Sequence, residues 1–163
     1  KVREEHLSQI LTWRTSAHVT KFMHTDIEHD LEKQQAWFRE ISNNDRYRYW
    51  MIEYGNKFVG VLNLSMIDLN NKHCTWGYYI GETSCAIGGF IHPYLNNYVF
   101  FEMNLNKIYG DVLEENETIM RFHEIYGYRR VGIHKQHIYK YGKYQQLQIV
   151  HENVCSKNRI PVN

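Results

Sequence analysis

Apolar positions recur at helical spacing over residues 4–15, where Leu7, Ile10, Leu11 and Arg14 share one face at i, i+3, i+4 and i+7. Arg14 places a charge at the end of that otherwise apolar stripe. A second helix is predicted over 30–41, with Leu31, Gln34, Trp37, Phe38 and Ile41 on one side. Asn43-Asn44-Asp45 ends it, because short polar side chains compete for backbone hydrogen bonds. The pattern then becomes strand-like. Residues 47–54 alternate polar and apolar positions, Gly55-Asn56 makes a turn, and 57–67 continues through Phe58, Val59, Val61, Leu62 and Leu64. After a second turn at 68–72, His73–Ile80 reads as a third strand. Pattern and turn chemistry together predict an antiparallel meander.

The second half changes character. A loop of small residues at 81–89 leads into an aromatic-rich helix predicted over 90–103, with Pro93 in its first turn, where a missing N–H is tolerated. A strand at Lys107–Leu113, a helix at 116–126 and a break at Gly127-Tyr128 follow. Two long strands, 129–139 and 144–153, are joined by a turn at 140–143. No repeat, linker or low-complexity segment interrupts the chain, so one domain over 1–163 is expected. This order of elements is α+β or mixed α/β. A loop running into a helix N-terminus offers N–H donors and a positive dipole end, which suit a phosphate. The same loop serves equally well as a plain connection.

Composition narrows the function classes. A chain of 163 residues, 43% hydrophobic and 23% charged, can bury a core without disulfide staples. The aromatic share of 15%, with 13 Tyr and 4 Trp, suits pockets as well as cores. A net charge of +1 with no long basic block argues against nucleic acid as a main partner. No stretch approaches the roughly 20 apolar residues of a membrane span. The start, Lys1-Val2-Arg3-Glu4-Glu5, has no apolar signal-peptide core and no initiator Met. Cys74, Cys85 and Cys155 are an odd number without paired spacing, which fits a reducing, cytoplasmic setting. The 10 His show no tight ligand spacing, so no metal is expected.

Residues 116–128, Asn-Glu-Thr-Ile-Met-Arg-Phe-His-Glu-Ile-Tyr-Gly-Tyr, resemble the signature N-x-x-A-x-x-F-Y-E-K-x-G-F of the GCN5-related N-acetyltransferase (GNAT) superfamily. Asn116, Phe122, Glu124, Gly127 and the aromatic Tyr128 are kept. Residues 106–113 resemble the strand that leads into that signature, and the order of elements agrees from about residue 4 to 153. The strand that usually precedes the first helix is absent. The resemblance implies a central, mostly antiparallel sheet splayed at one parallel strand pair and flanked by helices. Trp13-Arg14, Met23, Trp37-Phe38, Trp76-Gly77-Tyr78-Tyr79-Ile80 and Gly142-Lys143-Tyr144 are similar to one branch. That branch comprises the UDP-4-amino-4,6-dideoxy-N-acetyl-β-L-altrosamine N-acetyltransferases of pseudaminic acid biosynthesis, which serves flagellin glycosylation. Acetyl-CoA as cosubstrate, a UDP-amino sugar as acceptor and a homodimer are the partners so implied. A protein N-terminus or an aminoglycoside is the alternative acceptor, and a non-catalytic acetyl-CoA or nucleotide-sugar binding module the alternative of another class.

Acetyl transfer to an amine needs a neutral amine, a stabilised carbonyl oxygen and a proton for the departing thiolate. The resemblance implies that backbone N–H groups near Tyr79 or Ile80 face the thioester. It implies that Ala86, Ile87, Gly88, Gly89 and Phe90 hold the diphosphate, with Asn116 and Phe122 completing the cofactor site. The superfamily's cofactor loop, Q/R-x-x-G-x-G/A, is here Ser84-Cys85-Ala86-Ile87-Gly88-Gly89, short of one glycine and of the basic or amide residue. The usual acid, a Tyr, aligns with His123, two helical turns beyond Asn116 on the same face. Tyr126 is a second acid candidate. Glu82 is the expected base, through water, with Asp68, Glu114 and His134 as alternatives. Arg14, Trp37, Tyr139, Tyr141 and Tyr144 are candidates for the acceptor site, although core packing is the plainer role for any single aromatic. An acidic pocket would favour an aminoglycoside. Basic and aromatic groups, here Lys135, Lys140 and Lys143, would favour the nucleotide.

Overall fold

The computed structural model describes residues 1–153; Cys155 lies outside the described residues. They fall into two compact units, one made of Lys1–Ile67 with Trp76–Ala86, the other of Asp68–Thr75 with the chain from Ile87 onward.

In the first unit a 3₁₀ turn, Glu4–His6, runs directly into helix α1 (Leu7–Arg14). Leu7, Ile10, Leu11 and Trp13 are buried, which is the face the spacing predicts, and Arg14 stands half-buried at its end. A single turn, α2 (Ala17–Thr20), follows; four residues are too few for a period to show in sequence. Helix α3 (Leu31–Ser42) starts at Asp30, whose carboxylate accepts the Lys33 N–H at 3.1 Å and satisfies one of the open donors of the first turn. Strands β1 (Arg48–Tyr54) and β2 (Lys57–Asp68) form a hairpin closed by Gly55 and Asn56. Both turn residues have positive φ (57° and 60°), the two-residue geometry whose twist matches the flanking strands. Val2, Leu7, Ile10, Trp13 and Val61 make a core against which Trp37, Phe38, Tyr49, Met51 and Tyr79 pack. The Val2 N–H donates to Tyr49 O at 2.9 Å, a single backbone bond along the outer side of β1.

In the second unit the first residues of β3 (His73–Ile80) pair in parallel with β4 (Lys107–Leu113), through His73↔Lys107, Cys74↔Ile108 and Thr75↔Tyr109. β4 then pairs antiparallel with β6 (Lys143–Asn153), and β6 with β5 (Arg129–Lys140). The six strands run β1-β2-β3-β4-β6-β5, mostly antiparallel with β3 and β4 as the parallel pair. The expected mixed α/β fold is therefore observed. The β5–β6 turn is Tyr141-Gly142, again with both residues at positive φ (54° and 76°).

The predicted helix over 90–103 is three pieces: a 3₁₀ turn Gly88–Phe90, helix α4 (Ile91–Asn97) and a π turn Tyr98–Glu102. The Met103 N–H donates to Tyr98 O at 2.9 Å, five residues back, which widens the last turn. Helix α5 (Glu117–Ile125) ends at Tyr126 and Gly127. Gly127 takes φ +87°, its N–H donates to Glu124 O at 3.1 Å, and the Tyr128 N–H reaches back to His123 O at 2.9 Å. This pair of bonds is a Schellman stop, which requires the left-handed residue that glycine supplies.

Candidate active site

The strand end and loop at 79–82 are set by close contacts within the first unit. A Cβ on Gly60 would lie 2.2 Å from Tyr79 O, so only glycine lets β2 approach β3 there. A Cβ on Gly81 would lie 2.2 Å from Cγ of Trp13. The indole thus occupies the space above Gly81, and its Nε1 donates to Glu82 Oε1 at 3.0 Å. Gly81 and Glu82 N–H groups both donate to Val59 O, at 2.8 and 3.2 Å, and a His18 ring nitrogen lies 2.8 Å from Gly81 O. The candidate base is therefore fixed by its backbone and by one carboxylate oxygen.

Arg14 Nη2 donates to Thr25 O at 2.6 Å and to Thr25 Oγ1 at 3.1 Å. Its Nη1 is buried and has no partner among the described residues. Burial lowers the Arg14 pKa, against the opposing pull of Tyr79 and Asp26. Burial also raises the Tyr79 pKa, partly offset by Arg14. Trp37 meets Tyr49 edge-on, with centroids 5.0 Å apart at 88°, so its ring is used in the core.

The candidate diphosphate loop starts at Ala86, the last residue of the first unit, and continues from Ile87 in the second. The Phe90 N–H, expected to face a phosphate, donates to Ile87 O at 2.9 Å as the first bond of the 3₁₀ turn. Ala86, Ile87, Gly88 and Gly89 precede that first helical donor. Gly89 sits against the signature: a Cβ there would lie 2.7 Å from Cε1 of Phe122. Asn116 occupies the N-cap position of α5, yet its side chain makes no capping bond, and only its carbonyl joins the helix, accepting from Met120 N at 3.2 Å. A role as a helix cap is thereby set aside, leaving its amide for another use.

His123 is buried and packs face to face with Tyr128, centroids 5.1 Å apart at 27°. These are the two positions whose contact accompanies a Schellman stop. Burial pushes its pKa down to about 4, so at neutral pH the ring carries no imidazolium proton. His92, on α4, is fully buried and meets His123 edge-on at 5.1 Å; its pKa is pushed down to about 3 by burial and by His123. Tyr126 is half-buried, with its ring stacked on His92 at 5.0 Å and 10°.

Beyond β4 and around the β5–β6 turn lies a polar pocket of about 180 Å³ lined by Glu114, Glu115, Lys143, Tyr144 and three glutamines, Gln136, Gln145 and Gln146. Lys143 Nζ pairs with Glu115 Oε1 at 2.7 Å. Glu114 accepts from Gln146 and, at 3.4 Å, from Gln148. Tyr139, Tyr141 and Tyr144 are all exposed, and Tyr139 meets Tyr144 edge-on at 5.0 Å. Lys140 is buried with its Nζ 4.9 Å from the Tyr141 ring centroid. Among the alternative bases, Asp68 is held by the Asn71 N–H and amide, each at 2.8 Å, which lowers its pKa, and His134 stacks on His137 at the surface. No group of three or more His, Cys, Asp or Glu among the described residues is placed to hold a metal, and no helix there is long and apolar enough to cross a membrane.

The profile of the acetyltransferase (GNAT) domain matches residues 1–147, nearly the whole chain. The chain belongs to the GNAT acetyltransferase family. An SPbeta prophage-derived uncharacterized N-acetyltransferase YokL of Bacillus subtilis is 27% identical over 114 residues, covering 68% of this chain and 63% of that protein. The spermidine N-acetyltransferase of Vibrio cholerae, solved in complex with CoA and spermine, superposes with a TM-score of 0.86 at 15% identity, over 93% of this chain and 92% of that one. A dodecameric structure of the same Vibrio enzyme gives 0.81 at 15% identity over 98% and 95%. At such identities the likeness is one of fold. The nucleotide-sugar branch expected from Trp13-Arg14 and the other short matches receives no support from these relatives.

Three features of these buried clusters and of the polar pocket are not read from the sequence. The Glu115–Lys143 pair escapes notice, although two adjacent carboxylates directly before Asn116 are a visible signal. His92 has no signal of its own, since a lone histidine in an aromatic helix reads as packing. The Trp13–Glu82 bond joins residues 69 apart in sequence, which no local pattern reports.

Proposed function

We propose that this protein transfers an acetyl group from acetyl-CoA to a primary amine of a small cationic acceptor. Acetyl-CoA supplies the activated thioester. Gly89, whose lack of a side chain lets the Phe122 ring close on the loop, and the N–H groups of Ala86, Ile87 and Gly89 are assigned to the diphosphate. The Asn116 amide, not used as a cap, would hold the pantetheine arm. Backbone N–H groups at Tyr79 or Ile80 are assigned to the developing oxyanion. Glu82, steadied by Trp13, is assigned to take the ammonium proton through water. Tyr126 is assigned to protonate the thiolate, because burial holds the His123 pKa down at about 4 and leaves its ring a neutral imidazole, a poor acid at neutral pH.

The observation that carries the acceptor class is the Glu114–Glu115 pocket. Lys143, expected to attract a diphosphate, is paired with Glu115, so that lysine is already neutralised. Lys140 is buried over Tyr141. The same pairing neutralises Glu115, so Glu114, hydrogen-bonded only by uncharged glutamine amides, is the carboxylate left for the pocket, and it suits an ammonium group such as that of a polyamine or an aminoglycoside. A UDP-amino sugar is the second reading, favoured by the exposed Tyr139, Tyr141 and Tyr144, on which a uracil ring would stack. Steady-state thiol release with Glu114→Gln and Glu115→Gln decides between them. The KM for a cationic acceptor should rise about tenfold in each while the KM for acetyl-CoA holds. Unchanged KM values for the amine in both folded variants would remove the pocket from the acceptor site.

A further inference from the structure

We propose that His92 is a positioning residue for Tyr126, its imidazole face holding the phenol in the orientation from which the proton leaves. The inference rests on the assignment of Tyr126 as the acid. His92 has no exposed surface, where leucine or phenylalanine would fill the space without taking an imidazole out of water. Its ring lies parallel to that of Tyr126, centroids 5.0 Å apart at 10°, and meets Tyr128 edge-on at 5.8 Å and 85°. Tyr128 is itself fastened to α4, its hydroxyl donating to Asn96 Oδ1 at 2.8 Å. One short helix thus grips both tyrosines that flank Gly127.

The need for such a grip follows from where Tyr126 sits. It is the C-cap of α5, with φ −92° and ψ 15°, and the chain turns away at the very next residue. A C-cap side chain leans back over the last turn of its own helix, and with no turn after it the remaining face of the ring is set by a neighbour from another element. The His92 face does this. His92 stays uncharged throughout the neutral range, so it adds no fixed charge beside the phenol.

The test combines kinetics with the ¹⁹F spectrum of fluorotyrosine-labelled protein, in which the Tyr126 line is assigned by its loss in Tyr126→Phe. In His92→Leu the Tyr126 line should move as the ring current disappears. The kcat should fall about tenfold while the KM for acetyl-CoA stays within about twofold. His92→Phe, which restores a flat face, should recover most of the rate. The double variant His92→Leu/Tyr126→Phe should be no slower than Tyr126→Phe alone, since the two residues act as one unit. An unmoved Tyr126 line in His92→Leu, or a His92→Phe enzyme as slow as His92→Leu, overturns the proposal. Should His92→Leu not fold, His92→Gln takes its place and is expected to be slow. A Tyr126→Phe enzyme at full rate removes the acid assignment by itself, and the ¹⁹F shift then still reports whether His92 sets the ring.

Discussion

Two buried polar corners are built on opposite principles. In the first unit, Trp13, Gly81 and Glu82 form a corner whose polar groups are joined by directed bonds: indole to carboxylate, and two backbone N–H groups to Val59 O. In the second unit, His92, His123, Tyr126 and Tyr128 form a corner organised by ring faces and edges, around two imidazoles that must stay neutral to remain buried. The first corner fixes where a carboxylate stands. The second fixes ring planes, and its burial pushes the pKa of the signature histidine down to about 4. A motif position therefore does not carry its chemistry with it when the residue type changes; the surroundings decide whether the new group can ionise.

The largest effect should separate the two residues of the second corner. Tyr126→Phe is expected to lower kcat by roughly 10²- to 10⁴-fold, the usual worth of a general acid, with little change in the KM for acetyl-CoA. His123→Phe keeps the ring packing on Tyr128 and should hold kcat within a few-fold. The reverse ranking would return the proton to His123 and undo the contrast between the corners.

Acid should break the second corner before the first. Histidines in an unfolded chain take up protons near pH 6.5, whereas His92 and His123 resist until about 3 and about 4. Below about 6.5 the unfolded state therefore binds more protons, and stability falls progressively as the pH drops towards 4 and then 3. The steepest loss is about 1.4 kcal/mol per pH unit for each of the two residues. His151, whose pKa is lowered by burial and by Lys107 and Arg129, adds a smaller slope of the same sign. Urea midpoints measured from pH 7 to 4 should fall for the native sequence and fall much less for His92→Phe/His123→Phe. Parallel curves would contradict the account.

The outline of the fold is readable because long elements repeat their pattern many times. β3 and β4 have the bounds the pattern predicts, and both hairpin turns announce themselves through Gly55-Asn56 and Tyr141-Gly142. The single turn of α2 and the split of the run 88–102 into 3₁₀, α and π pieces are not readable, since each depends on a bond or two rather than on a period. The site divides in the same way. Asn116 and Gly127 are legible through one contiguous motif, and the small-residue loop through a separate short run. The partners that settle their chemistry, Phe122 over Gly89, Lys143 on Glu115 and His92 on Tyr126, join segments dozens of residues apart.

A milder test probes the loop against the signature helix. Gly89→Ala places a methyl 2.7 Å from the Phe122 ring, so either the ring or the loop must shift. Acetyl-CoA affinity by calorimetry should weaken about tenfold. Full affinity in a folded variant would remove the loop from the cofactor site. Smallest of all, Trp13→Phe deletes the indole donor to Glu82 and should cost about 1 kcal/mol of stability, read from denaturant midpoints.

The central claim, acetyl transfer to a cationic amine, is tested most directly by competition. Limiting acetyl-CoA is mixed with the enzyme and equal amounts of spermidine, an aminoglycoside and a UDP-4-amino-4,6-dideoxy sugar, and the products are read by mass spectrometry. The account predicts that the added acetyl group appears on one of the polycations and that the sugar nucleotide stays unmodified. An acetylated sugar nucleotide with both polycations untouched would contradict it.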